Sequence, residues 1–320
     1  AIHAAGAAAS IQLTHCGYFS RNREIRGRGP LGPSFAINQY GLPSGVPFGY
    51  RMTEAEMGET ASAFASAALL AREAGFDAVE PHFGHGYLLS QFLSPATNRR
   101  RDRYGGDIEG RLRFPLAVLR AVRGAVGVDF PILAKTNLSD GFRGGLQLED
   151  AITVARSLER DGIDAIVLSG GFTSRTPFYL MRGDTPLESM IEVERNPLQR
   201  FLMRWVGPRV MRSYPFEEMF FLEQAREVRK AVKVPLALLG GVVSSDNIEH
   251  AMAEGFDFVA MGRALIADPD FVRRMERGED VRTLHPLQSL RGRDGSRRRA
   301  LRARRPGARR GRVIVALSSP

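Results

Sequence analysis

"PLALLGGVVSSDNIEHAMAEGFDFVAMGRA", residues 235–264, contains two short apolar runs, each ending in glycine and each leading into residues at helical spacing. Runs 235–240 and 256–261 read as strands apolar on both faces, the pattern of a parallel sheet. The stretch between them opens at Ser244, a good helix cap, and closes near Gly255. Two successive βα units whose strands end in "LLGG" and "MGRA" match a recurrent feature of (β/α)8 barrels, a phosphate site at the last two strand ends. Glycines at such strand ends let backbone N–H groups approach an anion, and the N-termini of the helices that follow favour its charge. One glycine pair after a strand is usually a tight turn; two on consecutive strands favour the barrel over an open doubly wound sheet.

Outward from this stretch the same alternation continues. Further strands are predicted at 8–13, 77–81, 131–136 and 164–169, and helices over 53–74, 108–126, 147–161, 221–232, 244–254 and 264–277. The class is α/β. If 235–240 and 256–261 are the seventh and eighth strands, then 8–13 is the third, and the chain carries about six of eight βα units. The first two, on the order of sixty residues, would be missing; a start at Ala1 rather than Met agrees with a fragment. The match to a dinucleotide fingerprint, "GRGPLG" at 27–32, sits in a proline-containing loop with neither a strand before it nor a helix after it, and is set aside. The barrel is expected over 1–282. An excursion at 172–220, rich in Met and Phe and holding Trp205, separates the sixth strand from its helix and reads as a cap over the site. Its charges are dispersed rather than gathered on one face, which argues against a membrane-surface role.

Composition narrows the function classes. With 43% hydrophobic residues in 320, the chain can bury a full core. It shows no charged-then-apolar leader and no membrane-length apolar run, so the expectation is a cytoplasmic protein that acts on a small molecule. The single cysteine, Cys16, rules out a disulfide framework, offers no cysteine-based metal site, and reads as a small apolar filler. The net charge of +10 would imply an anionic partner, but residues 283–320 hold eleven arginines against one acid, Asp294. The remaining 1–282 have 34 basic and 34 acidic residues, so the body is neutral and nucleic acid is not its expected partner.

The densest chemistry lies in "VEPHFGHGYLLSQFLSPATNRRRDRYGG", 79–106. His82, His85 and Tyr87 directly follow a predicted strand, where barrels place catalytic groups. Two imidazoles can aim N–H donors at one oxygen while a phenol gives up a proton, which suits polarising a carbonyl and protonating a neighbouring carbon. Loop histidines held by backbone carbonyls, or a metal site, remain alternatives on these residues alone. The segment closely resembles the signature of the Old Yellow Enzyme family of FMN-dependent oxidoreductases, in particular its NADH:flavin oxidoreductase and 2,4-dienoyl-CoA reductase branch. The likeness extends through "HAAGAAASIQLTHCG", "GGLQLEDAITVARSLERDGIDAIVLSGG" and "LGGVVSSDNIEHAMAEGFDFVAMGRALIADPDF", nearly all of 1–282.

That resemblance implies an FMN-binding (β/α)8 TIM barrel, NAD(P)H as reductant, and hydride transfer through the flavin to an activated alkene. It implies that His82 and His85 bind the substrate's carbonyl or phenolate oxygen and that Tyr87 is the proton donor. Gln12 would hydrogen-bond the flavin pyrimidine edge, and Lys135 would sit beside flavin N1 and O2, where a cation offsets the charge of the reduced ring. A buried ion pair is the alternative for Lys135. Gly240, Gly241, Gly262 and Arg263 would grip the phosphate. A related flavin barrel acting on amines, or a non-catalytic remnant, stays open, as does a homo-oligomer. Where the family continues "HxGR", this chain has Tyr18.

Relatives often carry a cysteine cluster for iron–sulfur binding after the eighth unit, where this chain has arginines. Permitted codons for His285 onward, read one base later, give Thr-Pro-Cys-Asn-Arg-Cys, so 283–320 are expected to be a disordered, wrong-frame translation. The cluster would then belong only to an intact homologue. Arginine-driven nucleic-acid binding by this tail is the minor alternative.

Overall fold

The computed structural model of the chain describes residues 1–25, 27–183, 187–210 and 212–283, with the side chains at 189, 198, 202 and 208–210 excepted. β1 (Ser10–Leu13) is followed by three short strands, β2 (Leu31–Gly32), β3 (Ala36–Ile37) and β4 (Phe48–Arg51), and then by α1 (Glu54–Glu73). β5 (Ala78–Phe83) leads into α2 (Leu88–Leu93) and α3 (Ile108–Val126), and β6 (Leu133–Asn137) into α4 (Leu148–Arg160). Between β7 (Ala165–Ser169) and α7 (Leu222–Ala231) lie α5 (Leu187–Val193) and α6 (Pro197–Val210). β8 (Leu236–Leu239), α8 (Ser245–Ala253), β9 (Phe258–Ala260), α9 (Arg263–Ala267) and α10 (Phe271–Glu276) complete the described chain.

The six strands expected from the sequence pair in the order β1-β5-β6-β7-β8-β9, every pair parallel. Side chains alternate across this sheet. One set, including Val79, Ala134, Ile166, Leu168, Leu236 and Leu238, packs into the main core with the helices. The other set encloses a smaller cluster of Ala78, Leu133, Ala165, Val167, Ala237 and Ala260. Small residues dominate that inner face, as a tightly curled sheet requires, and the polar residues Gln12, Glu80, His82, Lys135 and Asn137 share its register toward the C-terminal strand ends. The arrangement is that of a (β/α)8 barrel in which, among the described residues, β1 and β9 are not paired to each other.

Local chemistry sets the helix ends. Thr53 and Glu56 form a reciprocal capping box at the start of α1, Asp107 accepts from the Gly110 N–H at α3, and Ser244 from the Asn247 N–H at α8. Gly127, at φ 75°, ends α3.

Some expectations need correction. The helix expected over 264–277 is two helices, α9 and α10. Pro269 excludes the helical conformation from Asp268, whose φ of −131° and ψ of 92° are extended. Cys16 is exposed rather than the small apolar filler expected, although Gly17, Tyr18 and Phe19 directly after it are buried. "GRGPLG" contributes β2, paired with β4, and no helix follows it. The 172–220 excursion contains α5 and α6, which contact each other, and an isolated bridge between Gly183 and Tyr214. Of the arginine-rich tail expected over 283–320, Thr283 is ordered rather than disordered, buried and donating to the Val243 carbonyl, and residues 284–320 lie outside the described residues. Among the described residues no helix is long and apolar enough to cross a membrane.

Candidate active site

The site begins with the register of β5 against β6, which sets His82 opposite Lys135 on the inner face. Three residues on, the backbone turns sharply. His85 takes φ 58°, a left-handed conformation unusual for a residue with a Cβ. Hydrogen bonds hold the strained turn on both sides. The His85 N–H donates to Asn137 Oδ1 at 3.0 Å, and its carbonyl accepts from the Thr173 N–H at 2.9 Å and the Thr173 hydroxyl at 2.8 Å. At Gly86, φ 76°, a Cβ would lie 2.5 Å from the Phe172 ring, so a side chain is excluded. Tyr87 is then the N-terminal cap residue of α2, its ring 5.0 Å from that of His82.

The two imidazoles meet directly. His85 Nδ1 is 3.1 Å from His82 Nε2, and His85 Nε2 is 2.7 Å from the Ser169 hydroxyl. Burial pushes His82 well below the usual imidazole range, with the charges of His85 and Lys135 adding to the effect. Burial and Lys135 lower His85 to about 3. Both rings are therefore neutral near pH 7, each carrying one N–H, and the contact between them engages one of the two. His82 Nδ1 is buried and has no protein partner in its surroundings among the described residues. Burial raises the Tyr87 phenol, and the nearby Cys16 adds to the rise, so the group keeps its proton at neutral pH.

Lys135 Nζ lies 2.9 Å from Glu80 Oε1, both side chains buried, and Gln12 donates to the same carboxylate oxygen. The ion pair considered from the sequence is thus present, with Glu80 a member of the site that the sequence reading did not single out. The pair does not withdraw the lysine from the cavity. A space of about 210 Å³ is lined by His85, Lys135, Gly240, Gly241, Gly262 and Arg263. Leu180, Met181 and Phe216 of the 172–220 excursion also line it. Gln12, His82 and Tyr87 lie outside this lining.

The glycines differ in what they permit. A Cβ on Gly241, at φ 75°, would lie 2.5 Å from the Glu217 carbonyl, whereas a Cβ on Gly262 would meet nothing within 4 Å. Arg263 donates to the Arg182 carbonyl at 3.0 Å and has no carboxylate partner among the described residues. α9 is only five residues long and offers little dipole, so a phosphate there would be held by the guanidinium and backbone N–H groups. A partly buried guanidinium without a carboxylate partner among the described residues, an open glycine and a cavity-lining ammonium together fit a flavin with a terminal phosphate. Among the described residues no group of three or more His, Cys, Asp or Glu could hold a metal ion.

A second cavity, about 400 Å³, was not foreseen from the sequence. Tyr18, Phe19, Phe35 and Tyr40, from the loops around β2 and β3, face Thr97, Arg99, Ser174 and Arg175 across it.

The sequence of residues 1–171 and 187–281 matches the NADH:flavin oxidoreductase / NADH oxidase family. The chain is 42% identical over 279 residues to 4,4'-dithiodibutanoate disulfide reductase of Rhodococcus erythropolis, covering 86% of this chain and 67% of that protein. It is 32% identical over 285 residues to NADH oxidase of Thermoanaerobacter brockii, covering 87% of this chain but only 38% of that protein. Among solved structures, morphinone reductase superposes with a TM-score of 0.60 at 25% identity, covering 90% of this chain and 70% of that one. With the parallel curled sheet and the glycine-lined cavity, these matches are decisive: the chain belongs to the NADH:flavin oxidoreductase / NADH oxidase family, whose cofactor is FMN and whose reductant is NAD(P)H.

Proposed function

We propose that this chain is the core of an ene-reductase-type enzyme that passes reducing equivalents from NAD(P)H through FMN to an activated alkene, an α,β-unsaturated carbonyl or enoyl compound. The observation that carries this reading is the neutral His82–His85 pair beside a protonated Tyr87. FMN, when bound, supplies hydride transfer. Gly240, Gly241, Gly262 and Arg263 would hold its phosphate, and Gln12 and Lys135 would hold the ring, the lysine offsetting the charge of the reduced form and kept in place by Glu80.

His82 and His85 bind the substrate's electron-withdrawing oxygen. Because both are uncharged, neither has to lose or gain a proton first; an N–H of the pair that turns from its ring or Ser169 contact to the substrate oxygen stabilises the developing negative charge. Tyr87 delivers the proton to the α-carbon. Its raised pKa keeps the proton available and makes donation depend on charge building at that carbon. Loss of this donor typically costs 10²–10⁴-fold. Tyr87→Phe in the FMN-loaded chain is therefore expected to slow alkene reduction by about that factor while leaving flavin reduction by NAD(P)H unchanged, as read by stopped-flow absorbance of the two half-reactions. Equal losses in both would overturn the role.

A second reading, reduction of a disulfide, is favoured by the 42% identity to 4,4'-dithiodibutanoate disulfide reductase. There Tyr87 would protonate the departing thiolate. Anaerobic product analysis with an enone and with a dialkyl disulfide separates the two.

A further inference from the structure

The second cavity has a composition suited to an anion. Arg99 and Arg175 both line it, and no acidic residue does. Neither guanidinium has a carboxylate partner among the described residues. Arg99 donates to the Phe35 carbonyl at 2.6 Å, and Arg175 lies 4.8 Å from the centre of the Phe142 ring. Arg21 adds a third cation 5.7 Å from the centre of the Tyr40 ring. Asp140, whose field reaches Tyr18, is buried and already accepts from Asn137 and from the Leu146 N–H.

Phenols and hydroxyls complete the lining. Tyr18 stands 3.1 Å, oxygen to oxygen, from Ser174, and it occupies the position where the family's "HxGR" has arginine. The cavity is also one side chain away from the reacting groups. The Phe19 ring is 5.3 Å from that of Tyr87 and 6.0 Å from that of Tyr40. Tyr40 donates to the Thr173 carbonyl at 2.8 Å, and Thr173 in turn donates to the His85 carbonyl. Phe19, buried and lining this cavity, is the side chain that stands between it and Tyr87.

We propose that the second cavity is an anion-recognition arm of the substrate site, in which Arg99 and Arg175 hold a carboxylate at the far end of the substrate. The proposal rests on the reading that an organic substrate is reduced at His82, His85 and Tyr87. It narrows the substrate class to acids with an apolar or aromatic body, which Phe19, Phe35 and Tyr40 would flank. Charge-assisted bonds to a carboxylate are the stronger kind, and a lost one is typically worth about tenfold or more in affinity.

The test uses the FMN-loaded full chain and two acid–ester pairs. Calorimetric titration with 4-oxo-4-phenylbutanoate and its methyl ester, which cannot be reduced as alkenes, reads binding alone. Turnover of trans-3-benzoylacrylate and its methyl ester reads the reaction. The acid is expected to bind about tenfold or more tightly than the ester. In the Arg99→Gln/Arg175→Gln double variant the acid-to-ester ratio should collapse to near one. Equal binding of acid and ester by the parent, or a preference that survives in the double variant, overturns the proposal. So does a double variant that weakens NAD(P)H instead, since the arginines would then read the reductant's phosphates. The two readings fail separately. An arginine-dependent preference with no benzoylacrylate reduction removes alkene reduction and leaves the acid site standing; equal turnover and binding of acid and ester do the reverse.

Discussion

His85 is the residue on which backbone strain and electrostatics converge. Its φ of 58° places a β-carbon where Asn is better tolerated than most residues, and three hydrogen bonds to its own backbone hold it there. Its neutrality has a consequence for stability. The folded-state value of about 3 lies below the ordinary imidazole value of 6.5, so between these pH values the unfolded chain binds a proton that the folded chain refuses. Stability contributed by the neutral ring is complete above about pH 6.5 and declines as pH falls toward 3. His85→Asn keeps the turn and removes the titration, so the gap in melting temperature between variant and parent should shift in the variant's favour from pH 7 to pH 4. A gap constant across that range would show that His85 titrates normally. Glu80 invites a second substitution. Glu80→Gln strands the buried Lys135 ammonium, and breaking one side of such a pair costs about 3–5 kcal/mol. Urea denaturation should report a loss of this order, and a loss under about 1 kcal/mol would mean that water already screens the lysine.

At the scale of elements, α1 depends on its capping box, because its first turn would otherwise leave amide donors unpaired. Thr53→Ala should lower stability by about 1 kcal/mol, and Thr53→Ser should restore most of it; melting curves of the two variants check this. Such caps, Thr53 at α1 and Ser244 at α8, made those helix starts legible from the sequence, whereas α4 and α7 were read from apolar spacing alone and α2, α5 and α6 were not anticipated. The strand positions were legible for a similar reason, since buried runs such as 164–169 are flanked by polar or glycine residues. The break between α9 and α10 was also written there, in Pro269, but the apolar spacing on either side outweighed it. The short strands β2, β3 and β4 left no comparable trace. Two to four residues carry no period, and their pairing is set by the loop's contacts rather than by its own composition. The candidate site divides along the same line. His82, His85 and Tyr87 lie within six residues, and the glycines repeat on adjacent strands, so spacing alone groups them. Glu80 became visible only through the β5–β6 register that sets it near Lys135, and Arg99 and Arg175 only through loops of different βα units that meet across one cavity.

At the scale of the molecule, the residues proposed to hold FMN come from both ends of the sheet order. Gln12 lies on β1, Gly262 and Arg263 follow β9, and these two strands are the ones not paired to each other among the described residues. A ligand that touches both ends adds a connection that the backbone ladder lacks, and a ligand bound only by the folded state stabilises it in proportion to the logarithm of its concentration over Kd. At a hundredfold excess over Kd the gain is about 2.7 kcal/mol. FMN should therefore raise the melting temperature of the chain in a concentration-dependent manner. Riboflavin, which shares the ring and lacks the phosphate, should do so less at equal concentration, because Arg263 and the backbone groups of Gly240, Gly241 and Gly262 then have no anion to hold. Arg263→Ala should lower the FMN response toward the riboflavin response while leaving the latter nearly unchanged. Equal stabilisation of the parent chain by FMN and riboflavin would contradict the phosphate assignment.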